Sequence, residues 1–132
     1  PGPFNPYAGF GMTKNLIIYE KTLEMIEYGT IAVRQFPKYE KFVLASMIRQ
    51  QMYEILRLIV ETNKRTYRKT ALMELDIANE TLRHLVDLSH RRLKYIDHKK
   101  YTLWMERIDE VGKLLGGWIR SQREGAQPVK HE

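Results

Sequence analysis

The most constraining feature of the sequence is a glycine-bearing helical segment, I-D-E-V-G-K-L-L-G-G-W-I, at residues 108–119. Its apolar positions have the spacing of a helix face turned towards a core, namely Ile108, Val111, Leu115 and Trp118. Gly112 and Gly116 lie one turn apart on a shared face, and each glycine costs a helix interior about 1 kcal/mol relative to alanine. We therefore expect another backbone close to Gly112 and Gly116, with Trp118 as an anchor. The alternative is a fraying helix end in which the glycines have no packing role.

Three further segments carry apolar residues at helical spacing. The first runs from Thr13 until Phe36-Pro37 stops it, the second covers about residues 41–62, and the third follows the connection N-K-R-T-Y-R-K at residues 63–69. Asp97 is placed to cap a fourth helix that continues into residues 108–119. Four amphipathic helices with short loops predict an all-α fold, an up-down-up-down four-helix bundle. The predicted core positions of the first three helices are Leu16, Tyr19, Leu23, Ile26 and Val33; Ala45, Ile48, Met52, Ile55 and Ile59; and Leu75, Ala78, Leu82, Leu85 and Leu93.

The two ends of the chain differ in composition from this helical part. Residues 1–11 hold three prolines and three glycines without a charge, which indicates an unstructured arm or a linker left by cloning. Residues 122–132 are polar and contain glycine and proline, so we predict a disordered tail there. The bundle itself is assigned to residues 12–121, a single domain.

The outer faces of the first and fourth helices suggest contacts beyond one chain. A monomeric bundle needs only about a third of each helix to be apolar, and these two helices exceed that. The surplus predicts a subunit interface and hence a homo-oligomer. The first helix also presents Glu20, Glu24 and Glu27, an acidic stripe that is either solvated or a docking face for a basic partner. The surplus apolar residues are Ile17, Ile18, Met25, Tyr28, Leu103 and Leu114.

Motifs for catalysis or metal binding are missing from the sequence. A di-iron bundle needs Glu-x-x-His on two helices with two further glutamates, whereas Glu80/His84 and Asp87/His90 share one helix. No H-E-x-x-H, P-loop or GxSxG motif occurs, and there is no cysteine. We therefore predict that the protein is not an enzyme and needs no cofactor or metal. No apolar run approaches the roughly 18 residues of a membrane span, so we predict no membrane partner and a cytoplasmic location.

The cationic residues are clustered, and the net charge of +6 with a pI near 9.6 points to a polyanionic partner. In this topology the first and third connections share one end of the bundle, which should gather Lys38, Lys41, Arg91, Arg92, Lys94, Lys99 and Lys100. The opposite end should hold Lys64, Arg65, Arg68 and Lys69. We predict nucleic-acid contacts in these clusters, with Tyr95 and Tyr101 available to stack on bases. The alternative is that the cations are solvated residues at helix ends.

Three segments of the chain resemble a known family. F-P-K-Y-E-K-F-V-L at 36–44, I-A-N-E-T-L-R at 77–83 and the glycine-tryptophan segment at 108–119 are similar to the accessory variability determinant proteins, Avd, of diversity-generating retroelements. The resemblance covers roughly residues 14–121. The F-P-x-x-E stretch also resembles the ribosomal-RNA intervening-sequence proteins, which are related four-helix bundles. The last segment is the most specific of the three and favours Avd.

The resemblance implies a function that spacing and charge do not. Avd proteins are four-helix protomers of a barrel-like homopentamer, encoded by bacteria or phages. They bind the retroelement's reverse transcriptase and nucleic acid, RNA or DNA, and are needed for mutagenic retrohoming, without catalytic activity of their own. An RNA-associated intervening-sequence-type protein without a polymerase partner is the alternative. A metal-dependent bundle enzyme stays open only because the fold permits one.

Overall fold

The computed structural model describes residues 2–10 and 13–126, with side chains for residues 2–10 and 15–123. Four α-helices account for most of these residues: α1 (Thr13–Ala32), α2 (Leu44–Lys64), α3 (Lys69–Asp87) and α4 (His98–Ala126). The described residues contain no β-strand. No helix among them is both long and apolar enough to cross a membrane.

The four helices form a ring in which α1 packs against α2 and α4, and α3 packs against α2 and α4. Hydrogen bonds between segments distant in sequence fix which helix ends lie together. At one end, the Asn15 side chain at the start of α1 donates to Asn63 near the end of α2, over 3.4 Å. At the other end, the Gln35 amide after α1 donates to the Asp97 carboxylate before α4, over 2.8 Å. Neighbouring helices are therefore antiparallel, and the predicted all-α four-helix bundle is confirmed.

Short turns and a side-chain cap set the helix limits. After α1 the chain makes a 3₁₀ turn (Val33–Gln35), meets Pro37, and makes a second 3₁₀ turn (Lys38–Glu40), so that α2 begins at Leu44, later than predicted. The Asp97 carboxylate accepts a hydrogen bond from the backbone N–H of Lys100 at 2.8 Å, which confirms the predicted N-cap of α4. That bond, together with the Gln35 amide, holds the pKa of the Asp97 carboxyl below its ordinary value. At its other end α4 continues to Ala126, and residues 127–132 lie outside the described part.

The core agrees with the predicted seams of α2 and the central part of α3, but the seam predicted for α1 is wrong. Predicted positions such as Leu16 and Leu23 are only half-buried, whereas Ile18 and Met25, which the sequence placed on the surplus face, are buried. The reason is that the core face of α1 also contains Thr22 and Gly29, which break the apolar pattern. The hydroxyl of Thr22 donates to the Ile18 carbonyl at 2.8 Å, which allows its burial.

Residues 2–10 make contacts with the bundle that their composition does not predict. The Phe10 ring lies 5.0 Å from the Tyr19 ring, centroid to centroid, and Tyr7 meets Tyr19 edge-on at 6.3 Å. The side-chain amide of Asn63 donates to the Gly9 carbonyl at 2.8 Å. This segment therefore contacts the bundle at the junction of α1 and α2. Residues 1, 11 and 12 lie outside the described part.

Candidate nucleic-acid interface

The first and third connections of the bundle lie side by side, as the topology predicts. Besides the hydrogen bond from the Gln35 side-chain amide to the Asp97 carboxylate, the backbone N–H of Asp97 donates to the side-chain Oε1 of Gln35 at 3.0 Å. The Tyr95 hydroxyl donates to the Glu40 carboxylate at 2.7 Å. We call the cationic surface of these two connections the first basic end. It contains Lys38, Lys41, Arg91, Arg92, Lys94, Lys99 and Lys100, which the structure brings to one end of the bundle.

A wider turn at the end of α3 shapes this surface. The last turn, Leu88–Arg92, is π-helical, and the backbone N–H of Leu93 donates to the Leu88 carbonyl at 3.0 Å. Lys94 then adopts a left-handed conformation with φ of 60°, which is uncommon outside glycine. Leu93 is consequently 37% exposed, and its prediction as a core residue is wrong because the π turn removes it from the helical register. Arg91, Arg92 and Lys94 are exposed beside it.

Several cations of the first basic end already have carboxylate partners. The Arg91 guanidinium lies 2.9 Å from the Asp87 carboxylate, and this hydrogen bond, with another from the Tyr101 hydroxyl, holds the pKa of Asp87 below its ordinary value. Lys100 lies 3.7 Å from Asp97. Among the described residues, no carboxylate forms an ion pair with the remaining exposed members, Lys38, Lys41, Arg92, Lys94 and Lys99. Their charge is therefore available to a polyanion.

The two tyrosines predicted to stack on bases are occupied within the protein. Tyr95 packs against Phe36 with ring centroids 5.4 Å apart, and hydrogen bonding to Tyr39 and Glu40 raises the pKa of its hydroxyl. Tyr101 stacks on the His90 ring at 4.3 Å. Both tyrosines are half-buried, which corrects the expectation that they present free faces. The exposed aromatic rings of this end are instead Tyr39 and Phe42 in the first connection, which the sequence analysis missed. Their only signal in the sequence was the neighbouring lysines, since Tyr39 lies between Lys38 and Lys41 and Phe42 directly follows Lys41.

The opposite end of the bundle holds the second basic end, defined by Lys64, Arg65, Arg68 and Lys69. Here Arg65 lies 2.6 Å from Glu61. The Arg68 guanidinium donates to the carbonyls of Arg65 and Asn63 at 3.0 and 3.2 Å and so satisfies carbonyl groups at the end of α2. Lys64 and Lys69 are exposed. A cavity of about 280 Å³ also opens at this end, lined in part by Arg68, Lys113 and Trp118.

Gly112 and Gly116 of α4 do not face the backbone of another helix within one protomer. A Cβ atom on Gly112 would meet the Asn79 side-chain nitrogen at 3.2 Å, and one on Gly116 would meet the Arg120 guanidinium at 3.5 Å. No backbone of another described helix lies within 4 Å of either position, so the predicted close approach is wrong inside the protomer. Trp118 is buried in the core. Packing of Gly112 and Gly116 against a second copy stays a prediction.

The described residues contain no group of three or more His, Cys, Asp and Glu side chains that is arranged to hold a metal ion.

The fold and its charged ends define a class, the basic four-helix bundle. A family model described as bAvd-like matches residues 16–122, which is most of the chain. The chain belongs to this bAvd-like family, and the resemblance to the Avd proteins is confirmed. No curated protein matches the sequence.

Proposed function

We propose that the chain is a non-catalytic accessory protein of a diversity-generating retroelement. It binds the element's reverse transcriptase together with the template RNA or the cDNA, and it supports mutagenic retrohoming. The observation that carries this proposal is membership of the bAvd-like family over residues 16–122. The two cationic ends support it because a protein that accompanies a polymerase along its template needs affinity for phosphate backbones.

The first basic end is the better candidate for the nucleic-acid contact. Five of its cations, Lys38, Lys41, Arg92, Lys94 and Lys99, have no carboxylate partner among the described residues, whereas Arg65 and Arg68 of the second basic end are held by Glu61 and by backbone carbonyls. Contacts made by such lysines and arginines position a phosphate backbone without reading its sequence. The proposed binding is therefore non-specific and sensitive to salt.

We propose that the protomers assemble into a cyclic homopentamer, the state implied by the family. Several large apolar side chains of α1 and α2 are exposed to solvent in a single protomer, where covering them would be favourable. Leu103 and Leu114 of α4, which the sequence placed on the surplus face, are half-buried and add little to this exposed surface. Cyclic assembly would cover part of this surface and would repeat the first basic end around an axis, so that each protomer adds to one positive potential. The exposed apolar residues of these two helices are Ile17, Ile31, Met47, Tyr53 and Val60.

Co-expression with the cognate reverse transcriptase tests the proposal. We expect the tagged polymerase to retain the untagged chain through purification and nuclease treatment, because an accessory protein without catalytic groups must act through a direct contact. If the chain co-purifies with the polymerase only when nuclease is omitted, the two proteins are joined through nucleic acid alone. If it does not co-purify under either condition, the proposed partnership is contradicted.

The acidic stripe of α1 is the proposed docking face for this basic partner. Part of it is already neutralised, since Lys21 lies 3.1 Å from Glu24 and 3.4 Å from Glu110 of α4. Reversing Glu20, Glu24 and Glu27 to lysine should abolish co-purification, whereas the same reversal at the exposed Glu74, Asp76 and Glu80 of α3 should not. If both variants co-purify, the acidic stripe is not the docking face, and the proposed binding to the reverse transcriptase is unaffected.

A further inference from the structure

The first connection presents two aromatic rings to solvent at the first basic end. Phe42 is 84% exposed and Tyr39 is 72% exposed. The backbone beneath them is held in place, since the N–H groups of Glu40 and Val43 donate to the carbonyls of Pro37 and Glu40 at 2.9 and 3.1 Å. The Tyr39 ring is further supported edge-on by Tyr95, with centroids 6.3 Å apart. Both rings are therefore displayed from a fixed turn at the surface.

Cations lie on the same two connections as these rings. The Lys41 ammonium lies 5.5 Å from the centroid of the Phe42 ring, and Lys38 is exposed one residue before Tyr39. Arg92 and Lys94 project from the neighbouring third connection. The carboxylates nearest in sequence are engaged, because Glu40 accepts the Tyr95 hydroxyl and Asp97 caps α4. Glu40 and Asp97 remain anionic in these hydrogen bonds, but neither forms an ion pair with Lys38, Lys41, Arg92 or Lys94 among the described residues. The surface thus combines flat apolar faces with an excess of positive charge.

We propose that Tyr39 and Phe42 are a stacking platform for the unpaired bases of single-stranded nucleic acid, with the surrounding lysines and arginines on its phosphates. This inference rests on the proposed function and names the form of nucleic acid that the first basic end selects. Every base has a flat face that stacks on an aromatic side chain, so such binding tolerates any sequence. A duplex keeps those faces inside its own stack and offers only phosphates to this surface. Single strands should therefore bind more tightly than duplexes.

The second basic end provides a matched comparison within the same protein. It also displays an aromatic ring, Tyr67, which is 90% exposed among cations. It has one such ring where the first basic end has two, and Arg65 and Arg68 beside it are held by Glu61 and by backbone carbonyls. The structure therefore favours Phe42 and Tyr39, and Tyr67→Ala is the control substitution.

The test measures binding of the full chain to labelled oligothymidine, oligouridine and a DNA duplex of matched length. Phe42→Ala should weaken binding to both single strands by about fivefold or more, because base stacking on an aromatic ring is lost. Its duplex affinity and the slope of log affinity against log salt should not change, since the phosphate contacts remain. Tyr67→Ala should leave all three affinities unchanged. Phe42→Trp should retain binding, and its added fluorescence should be quenched by oligothymidine.

The possible results separate this inference from the proposed function. If the unaltered protein binds none of the three probes, both fail. If it binds them and Phe42→Ala binds equally well, or loses duplex and single strand alike, the platform is refuted and charge-driven binding stands. If Phe42→Ala instead lowers the mass of the assembly in solution, the ring is a contact between copies and the inference is overturned. Since Phe42 is exposed, the variants should fold, and an unquenched Phe42→Trp would count against stacking on its own.

Discussion

At the scale of single residues, Gly29 is a position where α1 packs tightly against two other helices. It lies on the buried face of the helix, and a Cβ atom there would overlap the sulfur of Met52 and come within 2.8 Å of the Trp104 indole nitrogen. Both of those side chains are fully buried, so neither has open space to move into. The absence of a side chain at this position is what lets the Trp104 ring lie against α1.

We expect Gly29→Ala to destabilise the protein by about 1–3 kcal/mol, because the methyl group overpacks the core. Gly116→Ala is the matched substitution, since its methyl group would meet only the Arg120 guanidinium at 3.5 Å. Alanine is favoured over glycine in a helix by about 1 kcal/mol, so this second change should stabilise the protein. Thermal or urea unfolding of both variants measures the difference. Destabilisation by Gly116→Ala would instead indicate that another protomer packs against that face.

The contrast between these two glycines shows what the sequence could reveal about packing. The sequence shows where glycines occur and that each costs helix stability, and from this it singled out Gly112 and Gly116. It does not show which side chain lies opposite. Gly29 owes its role to Met52 and Trp104, which are distant in the chain and meet it only after folding.

At the scale of helices and connections, prediction succeeded where one physical signal dominated. The seam of α2 is a clean apolar repeat, and the cap at Asp97 is a local contact, so both are visible in the sequence. The seam of α1 was missed because Thr22 and Gly29 occupy core positions. The π turn at Leu88–Arg92 was missed because hydrogen bonding between residues five apart has no characteristic pattern in the sequence. For the candidate site, the cationic residues were visible, but the exposure of Tyr39 and the burial of Tyr95 follow from tertiary contacts.

The proposed role of the two ends can be tested by removing equal charge from each. Replacing Arg92, Lys94 and Lys99 with glutamine should weaken binding of nucleic acid and flatten the slope of log affinity against log salt. With fewer phosphates contacted, binding releases fewer counterions. The matched variant replaces Lys64, Arg65 and Lys69 and leaves Arg68 on its backbone carbonyls. Melting temperatures should barely move, because exposed charges contribute little to stability. If only the matched variant loses binding, the second basic end is the interface.

At the scale of the whole molecule, the central prediction is the assembly. Light scattering after size exclusion should report a mass near five times that of the 15.7 kDa chain. Replacing the exposed Ile17 of α1 with arginine should reduce this mass, because a charge placed in an apolar interface is costly to bury. The same replacement at Ile77, which is exposed on α3, distinguishes the two faces: a loss of mass there and not at Ile17 would place the interface on α3. A monomer at micromolar concentration would contradict the pentamer and the interface on α1.

The hydrogen bonds that join the first and third connections have a thermodynamic consequence. Gln35 is bonded to Asp97 twice and Tyr95 is bonded to Glu40, so segments more than fifty residues apart in the chain are fastened to each other. The conformational entropy of these connections is therefore lost when the protein folds and not when a ligand arrives. A nucleic-acid strand that bound this end would immobilise only long side chains, because the backbone beneath them is already ordered. The proposed binding surface is in this sense preorganised, and its stiffness derives from the same contacts that close the bundle.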